Sequence, residues 1–140
     1  MSRFLLDNGV LVAYLKGRPG ALRRVDPWIA AQEAVTSIVI YGEAVEYIRG
    51  DSNYAGLRQN LRILLGQVTP LPITYPIMER YADLRRAMRP PYGKGLIGDI
   101  DTIIAATALE HDLTVVTLDS DYTRVPGLSV MLLTRSDLMQ

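Results

Sequence analysis

Cysteine is absent from the 140-residue chain, and histidine occurs once, at His111. The first absence excludes disulfides, thiolate metal sites and cysteine nucleophiles together, and it suits a reducing compartment. The second closes the two-histidine acid–base route to RNA cleavage. It also closes a Ser-His-Asp arrangement, because His111 falls where a helix is expected to end and where partial positive charge is favoured. No apolar run approaches the ~20 residues of a membrane span, and Asp7 comes too early for the apolar stretch of a signal peptide. A soluble cytoplasmic protein with no membrane partner is therefore expected. Neither sign of charge is in excess: fifteen Lys and Arg offset fifteen Asp and Glu. That disfavours general coating of nucleic acid, which a strongly basic domain would do. Two local basic clusters remain, Arg18, Arg23 and Arg24, then Arg85, Arg86, Arg89 and Lys94, each read equally well as a basic surface or as a solvated helix face. Gly93-Lys94-Gly95 is not followed by Ser or Thr, so it reads as a flexible loop and not a P-loop.

What is present is an ordinary globular composition, 49% hydrophobic and 21% charged, long enough for one domain over residues 1–140. Arg3 to Asp7 is a short apolar run ending in a carboxylate and predicts a buried strand. Val10 to Leu15 predicts a helix that Gly17, Pro19 and Gly20 break, followed by a second from about Ala21 to Ala31. Ala34 to Ile38 is β-branched and predicts a strand, with Thr36 and Ser37 available to cap a helix over Tyr41 to Arg49. Gly50 closes that helix, and Ser52 starts another bearing Leu57, Leu61, Leu64 and Leu65 at helical spacing. Pro70 and Pro72 make Val68 to Ile73 an edge strand. Tyr75 to Met88 and Asp99 to Glu110 predict helices, the latter burying Ile100, Ile103, Ile104, Thr107 and Ala108. Leu113 to Leu118 and Leu128 to Leu133 predict strands, joined by a turn-rich Asp119–Pro126 loop. Strands alternating with helices imply an α/β fold with a mainly parallel central sheet flanked by helices.

In such a sheet, ligands bind outside the carboxyl ends of the strands. Asp7 ends the first strand and Asp119 follows the strand Leu113–Leu118. Glu43 falls in about the first turn of its helix, and Asp101 in the first turn of the Asp99–Glu110 helix. Taken singly, each has a plain explanation as a turn, a cap or a complement to the helix dipole. Helical geometry separates them further. Ile40, Ala44, Tyr47 and Ile48 form a core-facing stripe that Glu43 flanks and Glu46 avoids. Asp99 and Asp101 cannot share a face, and the small residues Ala105 and Ala108 lie on the side of Asp101. Should the four converge, their mutual repulsion calls for a cation. A hard divalent ion meets that need: Mg²⁺ takes oxygen ligands, Mn²⁺ substitutes for it, and zinc is disfavoured without cysteine. Such an ion activates water and neutralises phosphodiester charge, which is nuclease chemistry.

Four blocks then carry a family likeness. Leu5-Leu6-Asp7-Asn8-Gly9-Val10-Leu11 resembles the opening signature of PIN domains, and Thr36-Ser37-Ile38-Val39-Ile40-Tyr41-Gly42-Glu43 resembles their second block. Gly98-Asp99-Ile100-Asp101-Thr102-Ile103-Ile104-Ala105-Ala106-Thr107-Ala108 resembles the third, its acid corresponding to Asp101 and not Asp99. Val115-Val116-Thr117-Leu118-Asp119-Ser120-Asp121-Tyr122, followed by Val125-Pro126-Gly127-Leu128, resembles the fourth block and closing strand of VapC toxins. The resemblance spans nearly the whole chain, with the blocks in order. It implies a PIN-like domain in which Asp7, Glu43, Asp101 and Asp119 bind one or two Mg²⁺ or Mn²⁺ ions. It implies hydrolysis of RNA phosphodiester bonds that leaves a 5′-phosphate and a 3′-hydroxyl, a homodimer, and inhibition by a cognate VapB-type antitoxin. One position departs from the pattern: Asn8 stands where the family usually has Thr or Ser, which puts the ordering of the metal in question. Asp121 is a further acid, read as a loop cap or an outer partner of the site.

Other readings fit less well. A haloacid-dehalogenase-type phosphatase needs a second carboxylate two residues after the first, where Gly9 stands. A receiver domain needs an acidic pair and a late lysine, but no lysine follows Gly95. The remaining alternative is a catalytically silent PIN-like interaction module, kept open by Asn8.

Overall fold

The computed structural model describes all 140 residues. Five strands form one sheet in the order β3-β2-β1-β4-β5, with every pair parallel. The strands are β1 (Phe4–Leu6), β2 (Ala34–Ser37), β3 (Thr69–Leu71), β4 (Thr114–Thr117) and β5 (Ser129–Leu132). The helices are α1 (Asn8–Leu15), α2 (Pro19–Ala30), α3 (Ile38–Arg49), α4 (Tyr54–Leu65), α5 (Tyr75–Met88), α6 (Asp99–Glu110) and α7 (Arg135–Met139). The α/β class and the parallel sheet expected from the alternation are thus observed. The central strand β1 is buried throughout, as its uninterrupted Phe-Leu-Leu requires. It pairs with β2 on one side and β4 on the other. From β1 the chain winds toward β3, then crosses back to β4. Right-handed crossovers in opposite directions carry α1–α4 and α5–α6 to opposite faces. The gap between β1 and β4 is therefore the switch point of the sheet, where a crevice opens beyond the strand ends.

Several boundaries differ from expectation for identifiable reasons. Helix α3 begins at Ile38 because the Ser37 hydroxyl accepts a hydrogen bond from the Ile40 N–H at 3.1 Å. Thr36 does not cap it; its hydroxyl donates to the Leu6 carbonyl at 3.0 Å and ties β2 to β1. Pro19 starts α2 instead of breaking the chain, since its fixed φ suits the first helical position. Helix α6 buries Ile104, Ala105, Ala106, Thr107 and Ala108, whereas Ile100 is 45% exposed. Tyr47 leaves the expected core stripe and is 48% exposed, while Ile40, Ala44 and Ile48 are fully buried.

The short helix α7 lies outside the elements that periodicity predicts. Its start is a capping box: the Thr134 hydroxyl accepts from the Asp137 N–H while the Asp137 carboxylate accepts from the Thr134 N–H. It packs on α2 at Gly20, where a methyl group would overlap the Asp137 and Leu138 backbone. Gly20→Ala should therefore push α7 off α2 and cost about 1–3 kcal/mol, the usual penalty of overpacking. Urea denaturation checks this, with a lower midpoint and an unchanged slope expected.

Candidate active site

Four elements each bring one carboxylate to the crevice. Asp7 directly follows β1; its carbonyl accepts the Val10 and Leu11 N–H groups and so opens α1. Asp119 follows β4 at the start of a 3₁₀ turn over Ser120–Arg124, and its carboxylate accepts the Asp121 N–H at 2.9 Å. Asp101 lies in the first turn of α6. Glu43 lies in the second turn of α3, not the first, because that helix starts at Ile38. Dipole compensation is felt within a helix's first turn, so it does not explain Glu43. Together the four line one cavity of about 500 Å³, completed by Asn8, Gly9, Thr117, Leu118 and Ser120. No Lys, Arg or His lines it.

Two side chains unremarked in the sequence organise these acids. The Thr117 hydroxyl donates to Asp7 Oδ2 at 2.6 Å and accepts the Asp119 N–H at 3.0 Å, which locks the two strand-end aspartates together. The fully buried Tyr122 donates its hydroxyl to Asp101 Oδ1 at 3.1 Å. The signals for both are their places in the fourth block, Thr117 two residues before Asp119 and Tyr122 three after. The other acids point elsewhere. Asp99 pairs with Arg85 at 3.3 Å and accepts from the Tyr81 hydroxyl. Asp121 accepts from Arg124 Nη2 at 2.8 Å.

Electrostatics follows from this crowding. Burial pushes the Glu43 carboxyl up to about 7, and the charges of Asp7, Asp101 and Glu46 add to the effect. Burial also raises Asp7, helped by Asp119 and opposed by the hydrogen bonds from Thr117 and the Asn8 backbone. Asp101 is raised chiefly by burial; the Tyr122 hydrogen bond opposes this, while Asp7, Asp119 and Asp121 reinforce it. The pocket concentrates negative charge without a protein cation to offset it. No three of its carboxylates close into a ready-made ligand cage. Mg²⁺ does not require one, since it keeps several waters and is bound through one or two carboxylates. The donor set is oxygen from carboxylates, hydroxyls and an amide, the set a hard cation takes. Asn8 contributes an observation of its own: its Oδ1 is the one buried side-chain polar atom with no hydrogen-bond partner.

Comparison with known proteins agrees with this architecture. A chain of VapBC2 from Rickettsia felis, in a crystal structure with a promoter DNA fragment, superposes with a TM-score of 0.80. It is 17% identical, over 93% of this chain and 98% of its own. A chain of FitAcB from Neisseria gonorrhoeae gives a TM-score of 0.73 at 25% identity, covering 91% and 96% of the two chains. A chain of a toxin–antitoxin complex from Klebsiella pneumoniae gives 0.66 at 26% identity, covering 91% and 94%. No curated protein matches the chain. Residues 4–128 match the PIN domain family, and with β1 through the 3₁₀ turn inside that span the chain belongs to it.

Proposed function

We propose that this chain is the toxin of a toxin–antitoxin pair, a VapC-type Mg²⁺-dependent endoribonuclease acting on RNA phosphodiester bonds. The observation that carries the reading is the gathering of Asp7, Glu43, Asp101 and Asp119, from four separate elements, into one cavity without a basic residue. These four would hold one or two Mg²⁺ ions, or Mn²⁺ in their place. Bound there, the metal supplies an activated water and neutralises charge on the phosphodiester. The protein's own part is positional. Thr117 holds Asp7 and Asp119 in fixed relation, and Tyr122 turns Asp101 toward the cavity. Partner assignments belong to the same proposal: RNA as substrate, a VapB-type antitoxin as inhibitor, and a second copy of the chain as dimer partner. The known toxin–antitoxin complex from Klebsiella pneumoniae supports an antitoxin as partner. No helix is long and apolar enough to cross a membrane, and a cytoplasmic location fits an RNA substrate. Retention of all four carboxylates weighs against the silent interaction module.

Purified protein incubated with total RNA is expected to give discrete cuts with Mg²⁺ or Mn²⁺ and none with chelator. Asp101→Asn should abolish them. Uncut RNA under every metal, from folded protein free of antitoxin, would return the silent module to first place.

The unpartnered Asn8 oxygen makes a second expectation. A hydroxyl at this position restores the family's usual outer partner to the metal, and such partners are worth about 10–100-fold in metal affinity. Asn8→Thr should therefore lower the Mg²⁺ concentration giving half-maximal cleavage by at least about tenfold. A magnesium titration of the cleavage rate in both proteins checks it.

A further inference from the structure

Beside the carboxylate cavity lies a second of about 360 Å³, and the two share Asn8, Gly9 and Leu118. Its chemistry is the reverse of its neighbour's. Arg18, from the loop before α2, and Arg135, from the first turn of α7, line it with Lys16 over a partly apolar floor. Lys16 is committed: it donates to the Tyr47 hydroxyl at 3.0 Å and sits 3.5 Å from Asp51. Arg18 and Arg135 take part in none of the chain's six ion pairs. Two exposed, uncommitted guanidinium groups thus flank a cavity continuous with four carboxylates.

We infer that this cavity is a subsite for the substrate strand, holding the nucleotide next to the cut, with Arg18 and Arg135 on its phosphate. The inference rests on the nuclease reading and adds to it where the strand runs. Charge sets the direction. A polyanion is repelled by the acidic pocket except at the one phosphate that a cation bridges, so its neighbouring phosphates need positive partners close by. Arginine suits that role because its planar fork pairs with phosphate through two hydrogen bonds. The Leu118 and Met139 side chains and the half-exposed Tyr47 give a base or sugar an apolar surface. A cavity of this size takes one nucleotide splayed from a single strand, the usual target of selective RNA recognition. The basic cluster around Arg18 is thereby divided: Arg24 is spent on Asp137 at 3.6 Å, and Arg18 is left for the substrate.

The test is the double variant Arg18→Gln/Arg135→Gln. Its control is Arg58→Gln/Arg62→Gln on the exposed face of α4, which makes the same charge change elsewhere. Binding is read by anisotropy of a fluorescein-labelled, random-sequence single-stranded RNA, in an Asp101→Asn background so that nothing is cut. Cleavage of total RNA across RNA concentrations is read in the wild-type background. The double variant should bind about tenfold more weakly. Its log–log salt slope should be shallower by about 0.7, the amount for the one single-strand phosphate that the two arginines no longer neutralise. KM should rise with kcat held within about twofold. Affinity, slope and KM equal to the control's would overturn the subsite while leaving the nuclease standing. So would a double variant that keeps its RNA affinity but loses its grip on the purified antitoxin, because a peptide would then own the cavity. Wild-type protein that neither binds nor cuts RNA overturns both readings.

Discussion

Asp7→Asn is expected to abolish metal-dependent cleavage and, in the absence of metal, to make the protein more stable. The two effects share one cause. Asp7 sits at the switch point of the sheet, held by the Thr117 hydroxyl, and burial raises its pKa. Its ionised form is therefore disfavoured by folding, and a neutral side chain of the same shape relieves that cost. Asn retains an oxygen to accept from Thr117, so the local hydrogen bond survives. What it loses is the negative charge that holds the cation. Losing several kcal/mol of metal-derived transition-state stabilisation lowers the rate by about 10³-fold or more. Initial cleavage rates give the first effect. Thermal melts with chelator at pH 8 give the second, with a rise of about 2–4 °C for each kcal/mol relieved. An active or destabilised Asp7→Asn protein would contradict the placing of Asp7. This is the trade-off expected where function is built on like charges held together.

The second large effect is a pH dependence that metal reverses. Glu43 is raised to about 7 in the folded protein from an ordinary value of 4.5, and Asp7 and Asp101 are raised as well. Between those limits the folded state binds more protons than the unfolded one, so stability must fall as pH rises. The stabilisation is complete below pH 4.5 and is lost as pH climbs through about 7. The lowered carboxyls of Asp51 and Asp137 act oppositely, but only at pH values near and below their ordinary 3.8. Metal-free protein should therefore melt higher at pH 5.5 than at pH 8. Saturating Mg²⁺ at pH 8 supplies the missing counter-charge, worth about 2.7 kcal/mol at a hundredfold excess over Kd. That corresponds to a recovery of about 5–10 °C. Calorimetric melts across pH, with and without Mg²⁺, test this, and a metal-free melting point rising from pH 5.5 to 8 would count against it.

Much of this site is legible in the sequence because its acids occupy strongly patterned places. Asp7 and Asp119 close short apolar strands, and strand ends are where an open sheet binds ligands. Asp101 separates from Asp99 by helical phase alone, and the ion pair between Asp99 and Arg85 shows why the phase matters. Boundaries are less legible where β-branched residues serve either structure. Ile38 reads as the end of the second strand until the Ser37 cap is seen, and that cap moves Glu43 to the second turn. Helix α7 has a readable signal, Thr and Asp three apart, in a segment too short for periodicity to act. Contacts such as that of Tyr122 with Asp101, 21 residues apart, exist only once α6 and β4 are packed. Strand order belongs to the same class, because it is the pairing of β1 with β4 that brings Asp7 and Asp119 to one crevice.

Whether the four carboxylates form a divalent-metal centre is answered without any RNA by a calorimetric titration of the purified, antitoxin-free protein with Mn²⁺ at pH 8. Saturable binding of one or two ions per chain is expected, competed by Mg²⁺, weakened by Glu43→Gln and lost in Asp101→Asn. Binding that is absent, or that persists unchanged in both variants, would contradict such a centre.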